Sequence, residues 1–361
     1  MTTTGTALYN PVSLNREYLT GKLLERYAEK HPRTWGNLSL HHRVQVREEY
    51  LATIQSLEES LATGSPAFLL DHACWVQSRF TAGHFPQQFF VSFFGVFKDV
   101  LARELPQGYR KKAVVFAGKA ISRLKPAPEG TGTCPDTKIN LSPVARSFLK
   151  YLLAGEQAKG RAVIDRILAD GTPVREIYTG IFQPVLKETG RLWQENGATI
   201  AQEHYVTGVI RQIMDQQHDR IIATGRTTRQ KKTVVAACAG EELHEIGIRM
   251  VADFFEMDGW NLYYVGANTP AGSILGTVKE QKADVVALSI TMPSRLPEIR
   301  YLVRSLRADK DTTHVKIIVG GFPFGIMPDL WKQVGADAVA AGAEDAVAAA
   351  NRLTAGTRGT V

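Results

Sequence analysis

Cysteine is scarce in this chain, with three in 361 residues. Cys74, Cys134 and Cys238 lie far apart and match no zinc or disulfide spacing. Long apolar runs are missing as well. The densest cluster, Phe89-Phe90-Val91-Ser92-Phe93-Phe94, is short and flanked by polar residues, so no segment has the length a membrane span needs. The N-terminus, Met1-Thr2-Thr3-Thr4, lacks the basic and apolar stretches of a secretory signal. A cytoplasmic location with no membrane partner follows as the expectation. Dense basic blocks are absent too: the net charge is only +7, and no Lys/Arg block interleaves with aromatics. That favours a solvated basic surface over a nucleic-acid interface.

What is present is the composition of a globular protein, 44% hydrophobic and 22% charged, at a length that implies two or three domains. Residues 17 to about 124 carry apolar residues at three- and four-residue spacing, as in Tyr50–Leu61 and Phe89–Leu105. This predicts a helical region over 1–125, interrupted by Gly83-His84-Phe85-Pro86. Lys125-Pro126-Ala127-Pro128-Glu129-Gly130 opens a linker over 126–141. Ser142-Pro143 is a helix start, and helices are predicted over 143–155, 158–170, 173–195 and 199–222, an antiparallel bundle filling 142–224. After a polar linker, 231–361 alternates β-branched runs with helix-length segments. Strands are expected at 233–238, 261–266, 285–290, 316–320 and 338–341. Five such units indicate a Rossmann-like (flavodoxin-like) parallel five-stranded sheet with helices on both faces. The fold class expected is therefore multidomain: all-α, then a four-helix bundle, then α/β.

Ligands of such sheets sit at the carboxyl ends of the strands. The loops there hold Glu242-Leu243-His244-Glu245-Ile246-Gly247, Thr291-Met292-Pro293-Ser294 and Gly321-Phe322-Pro323-Phe324. Taken singly, a loop histidine is more often a surface or capping residue, Gly320-Gly321 a tight turn, and Ser289-Ile290-Thr291 a helix cap. Together, Glu-x-His-x-x-Gly after strand one, Ser-x-Thr after strand three and Gly-Gly after strand four resemble the signature of the cobalamin-binding domain. The resemblance covers about residues 231–355. It implies that His244 is the lower axial cobalt ligand and that Ser289, Thr291, Gly320 and Gly321 line a slot for the nucleotide tail. Glu242 would orient His244, and a side chain at Gly247 would obstruct the tail. Zinc is a poor alternative, because His244 has no Cys or His partner at ligand spacing.

In the helical block, Trp193 is followed after nine residues by Glu203-His204. A tryptophan near a helix end is more often core, and an acid at a helix start more often a dipole contact. The spacing nevertheless resembles the Trp-x9-Glu-His motif of the adenosylcobalamin light sensors related to CarH. There the bundle caps the upper corrin face, which implies an adenosyl pocket of Trp193, Glu203 and His204. The chain departs from those sensors at Gln194, where they carry a histidine that captures cobalt after photolysis, and it shows no recognition-helix pattern in 1–124. With a helical N-terminal region of globin-like size, the arrangement resembles the photocobilins, which pair B12 with a bilin such as biliverdin. That implies a bilin pocket around Trp75, Arg79 and His84, with Cys74 as a thioether site; the alternative is that these aromatics form a helical core. The functional expectation is a non-enzymatic adenosylcobalamin light sensor, homo-oligomeric, acting on a downstream signalling protein and without a DNA-binding domain of its own. The alternative is a corrinoid protein of a methyltransferase system, carrying a methyl group on cobalt.

Overall fold

The structure, a computed structural model, describes residues 13–83, 85, 87–124, 139–225 and 231–355. It divides into two compact units, Met1–Asp136 and Thr137–Val361.

The described part of the first unit is all-α: α1 (Arg16–Lys30), α2 (Pro32–Asn37), α3 (Leu40–Thr63), α4 (Ala67–Ala82), α5 (Gln87–Glu104) and α6 (Gln107–Leu124). Side-chain caps start two of them: Asn15 accepts from the Tyr18 amide and Ser39 from the His42 amide. Gly64, at φ 77°, ends α3 in a left-handed conformation that glycine adopts without strain. The core is aromatic. Tyr50 stacks on Phe93 at 3.9 Å, and Phe80 meets Phe89 edge-on at 5.0 Å. Phe94 and Phe97 are fully buried beside them. Each such ring contributes about 2–3 kcal/mol by leaving water.

The second unit begins with a helical layer: α7 (Pro143–Leu153), α8 (Gln157–Ala169), α9 (Val174–Ile177), α10 (Gln183–Gln194), α11 (Ile200–Asp215) and α12 (His218–Gly225). Ser142 caps α7 through the Ala145 amide, as the Ser-Pro pair predicts. Two expected helices differ in detail. The helix over 173–195 contains a π-helical turn, Tyr178–Phe182, between α9 and α10. The helix over 199–222 breaks at Gln216-Gln217 into α11 and α12.

The sheet follows: β1 (Thr233–Ala239), α13 (Ile246–Met257), β2 (Asn261–Thr269), α14 (Ala271–Glu280), β3 (Val285–Ser289), α15 (Leu296–Ala308), β4 (Lys316–Gly320), α16 (Phe322–Ile326), α17 (Leu330–Val334), β5 (Ala338–Ala340) and α18 (Ala343–Leu353). All pairings are parallel, in the order β2-β1-β3-β4-β5. The inner strands β1, β3 and β4 form because their β-branched and small apolar residues are largely buried on both faces; from Val234 to Ala239 every residue of β1 is buried. The order reverses between β1 and β3, which places the switch point beside the loop after β1.

One core runs through the helical layer and the sheet. Polar contacts also join them. The Tyr178 hydroxyl, in the π-turn, donates to Asp253 of α13 at 2.9 Å. Asp253 pairs with Arg249 at 2.8 Å, and Arg249 reaches Asp215 at 3.3 Å. Arg211 of α11 pairs with Glu245 at 3.0 Å. At the end of α12, a Cβ on Gly225 would lie 2.0 Å from the Glu256 carbonyl oxygen, so glycine is what lets α12 seat on α13.

Candidate cofactor site

The register aligns the strand ends so that Cys238, Ser289, Gly320 and Ala340 form one row across β1, β3, β4 and β5. The loops leaving this row carry the residues that the sequence singles out. Gly321 holds φ 101°, and a Cβ there would sit 1.9 Å from the Ile290 carbonyl oxygen. A Cβ on Gly320 would lie 3.0 Å from the Ala340 carbonyl oxygen. Gly321 is thus required where the chain leaving β4 passes the end of β3, while Gly320 sits in tight contact with β5. At Gly247 a Cβ would meet nothing within 4 Å, so the first turn of α13 borders open space.

Glu242 organises the loops. It is only 1% exposed. One carboxylate oxygen accepts from the Leu243 and His244 amides, both at 3.0 Å, and pairs with His244 Nδ1 at 2.5 Å. The other accepts from the Thr291 amide at 2.7 Å and the Met292 amide at 3.1 Å. One buried side chain therefore fastens the loop after β1 to the loop after β3. Burial alone would raise its pKa, but the hydrogen bonds from His244 and from the His244, Met292 and Thr291 amides outweigh that and hold it at about 2. The carboxylate in turn raises the pKa of His244, against the opposing effect of burial; the Glu203 carboxylate adds to the rise. The His244 side chain is 58% exposed, and its Nδ1 is committed to Glu242, which turns Nε2 away from that anchor. An imidazole fixed this way by a carboxylate is the arrangement that metal-binding histidines use.

Among the described residues no three His, Cys, Asp or Glu side chains come together as a metal site. A metal held by His244 would bring its remaining ligands with it, as a cobalt corrinoid does. The residues present fit such a group: one oriented imidazole, a row of small residues at the strand ends, and open space at Gly247. Ser289 and Thr291 are half-buried on this edge.

The helical layer carries the second group of residues that the sequence singles out. Trp193 lies half-buried in the last turn of α10. Thr199 and Gln202 form a reciprocal capping box that starts α11. Glu203 and His204 follow in its first turn, paired at 2.6 Å, and Glu203 also accepts from the Thr207 hydroxyl at 2.9 Å. His204 is 73% exposed.

Several contributors carried no assigned role in the sequence reading. Glu245 receives Arg211 and, at 3.3 Å, the Tyr264 hydroxyl. The buried Cys238 thiol donates to the His244 carbonyl at 3.6 Å, beneath the loop. Its pKa is pushed up to about 12 by burial and by the nearby Glu242 and Glu245 carboxylates. In the first unit, Trp75 stacks on His72 at 5.7 Å and lies under the Arg79 guanidinium at 5.1 Å, while Arg79 pairs with Glu49 at 3.0 Å. Against the expectation of no disulfide, Cys74 is disulfide-bonded, which leaves its sulfur no free thiol for a thioether. His84 lies outside the described residues.

Residues 232–351 match the B12 binding domain, and 144–216 match a second family of B12 binding domains. The dimethylamine corrinoid protein 1 of Methanosarcina acetivorans is 26% identical over 205 residues, 56% of this chain and 90% of the relative. The HTH-type transcriptional repressor CarA of Myxococcus xanthus is 30% identical over 164 residues, 44% of this chain and 52% of the repressor. CarH from the same organism is 27% identical over 191 residues, 61% of its length. The chain thus spans little more than half of each repressor. Among solved structures, the monomethylamine corrinoid protein of Methanosarcina barkeri superposes with a TM-score of 0.52 at 18% identity, over 59% of this chain and 97% of that one, which shows a shared fold. No helix among the described residues is long and apolar enough to cross a membrane. The two matched segments fall on the helical layer and on the sheet that follows it, so the chain carries two regions that match B12 binding domains.

Proposed function

We propose that the chain is an adenosylcobalamin-dependent light sensor. The observation that carries this reading is the cap motif: Trp193 lies in the last turn of α10, and the Glu203–His204 pair lies in the first turn of α11. When bound, adenosylcobalamin supplies a cobalt–carbon bond that visible light breaks. The protein's part is to hold and to respond. Glu242 fixes the His244 ring through Nδ1, and Nε2 would hold the cofactor's cobalt. Ser289, Thr291, Gly320 and Gly321 leave room for the nucleotide tail. Trp193, Glu203 and His204 would hold the adenosyl group. A shift of the cap would be felt at α13 through Arg211–Glu245 and Tyr178–Asp253. The role is regulatory rather than catalytic, exercised as a homo-oligomer on a downstream signalling protein. In the same reading residues 1–125 are a globin-like sensory domain, with a bilin that Trp75, Arg79 and His84 would hold.

Gln194 favours a second reading, since the light sensors carry a histidine there. In it the protein is a corrinoid carrier of a methyltransferase system, and the cap encloses a methyl group. Loading the protein with adenosylcobalamin and following green-light photolysis separates the two. Rapid photolysis with a change in oligomeric state supports the sensor. Binding of methylcobalamin but not adenosylcobalamin overturns it. A red or far-red absorption band in protein made with B12 and biliverdin supports the bilin, and corrin bands alone contradict it.

A further inference from the structure

The helical layer meets α13 through a ladder of charges. Glu245, the N-cap of α13, is followed at four-residue spacing by Arg249 and Asp253, which puts the three on one stripe. On α11, Arg211 and Asp215 are spaced the same way. The pairs run in one order along both helices: Arg211 meets Glu245 at 3.0 Å, and Asp215 meets Arg249 at 3.3 Å. The stripe on α13 is itself held in place. Asp253 is buried, paired with Arg249 at 2.8 Å and bonded by the Tyr178 hydroxyl of the π-turn at 2.9 Å. The Tyr264 hydroxyl donates to Glu245 at 3.3 Å, and the Arg249 guanidinium lies 5.5 Å from the centre of the Tyr264 ring.

The signs alternate along both helices, so the ladder reads position. A slide of α11 by one turn along α13 would bring Arg211 to Arg249 and Asp215 to Asp253. A slide the other way would bring Asp215 to Glu245. Either displacement sets like charges together, and the observed register is the one in which each charge meets its opposite. The Arg211 and Asp215 side chains are 57% and 56% exposed, and ion pairs this open to water add little to stability. Their effect is to discriminate, because like charges brought together cost more than such pairs gain.

We infer that Arg211, Asp215, Glu245 and Arg249 are positioning residues that set the register of α11 on α13, and through it the size of the group accepted opposite His244. Glu203 and His204 lie about two turns before Arg211 on α11, and Glu245 follows His244 in the chain. The register therefore fixes where the Glu203–His204 pair stands along α11 relative to the His244 loop. The consequence for ligand size rests on the corrinoid reading above, whereas the register does not.

Nitroxide labels on Ala201→Cys, exposed in the first turn of α11, and Glu280→Cys, exposed at the end of α14, report the register by pulsed electron spin resonance of the full chain without cofactor. The parent should give one narrow distance distribution. Arg211→Glu, set against Glu245, and Asp215→Arg, set against Arg249, should each shift or broaden it by up to one helical turn, about 5 Å. Adding Glu245→Arg to Arg211→Glu should restore it. With corrinoids bound in the dark, Arg211→Glu should change the ratio of adenosylcobalamin to methylcobalamin affinity by about tenfold or more, and the double variant should recover it. The register is overturned if both single variants keep the parent distribution, or if the double variant stays as displaced as Arg211→Glu. The link to ligand size is overturned if the affinity ratio holds while the distance moves. A parent that binds no corrinoid contradicts the proposed function instead, and leaves the distance result standing.

Discussion

Replacing Glu242 with glutamine tests the organisation of the site without changing its size. The carboxylate accepts four backbone N–H groups and the His244 ring, divided between two oxygens. Glutamine has one oxygen, so whichever way the amide turns, its NH2 faces donors. If it faces Thr291 and Met292, the link between the two loops is lost. If it faces His244, the imidazole loses its anchor. Hydrogen bonds to a charged group are worth about 1.5–3 kcal/mol each, and the buried orphans cannot all recover water, so a local loss of about 2–4 kcal/mol is expected. Amide hydrogen exchange resolves this residue by residue. Exchange at Leu243, His244, Thr291 and Met292 should accelerate by about 30- to 1,000-fold on one or both loops, while β1 and β3 keep their protection. Corrinoid affinity should fall by about 10- to 100-fold, the usual cost of losing the partner of a metal-binding histidine. Unchanged exchange at all four amides would refute the argument that Glu242 fastens the loops.

Two further outcomes follow from single residues. Gly321→Ala would drive a Cβ into the Ile290 carbonyl at a positive φ, and should destabilise the sheet unit by about 2–4 kcal/mol, read as a lower denaturant midpoint; a midpoint equal to the parent's would contradict it. In the first unit, burial raises the Glu49 pKa from 4.5 to about 7, against the lowering effect of Arg79 and with a small rise from Glu48. The folded state thus holds this proton more tightly than the unfolded chain does. Its contribution is complete below about pH 4.5 and is lost as pH rises through about 7, amounting to about 3 kcal/mol. Glu49→Gln should therefore unfold at a higher temperature than the parent at pH 8 but not at pH 5; equal shifts at both pH values would overturn the assignment.

The strands were legible because their physics is local. Thr233–Ala239 is a β-branched and small apolar run, and burial on both faces leaves little else for it to be. The Ser142 cap and the His244 loop were legible for similar reasons, since each is written in adjacent residues. The break at Gln216-Gln217 was not, because neither residue has the backbone restriction of proline or glycine; the packing of Gly225 on α13 sets where α12 goes. The π-turn at Tyr178–Phe182 is equally hidden, since the buried partner of Tyr178, Asp253, lies in another domain of the sequence. Glu242 was read as an orienting residue for His244. Its second task, receiving the Thr291 and Met292 amides, has no signature in side chains, because backbone donors look alike in any sequence. The Cys74 disulfide was missed because spacing does not report which cysteines a fold brings together.

The central proposal is that His244, held by Glu242, would ligate the cobalt of a bound corrinoid. Electron paramagnetic resonance of the reduced cob(II)alamin form tests it most directly, with unlabelled cofactor in protein carrying 15N-histidine. A nitrogen ligand from the protein splits the cobalt lines into doublets in the labelled protein and triplets in the unlabelled one. The account predicts doublets that vanish in His244→Ala. Triplets persisting in labelled protein, or doublets surviving the substitution, would contradict it.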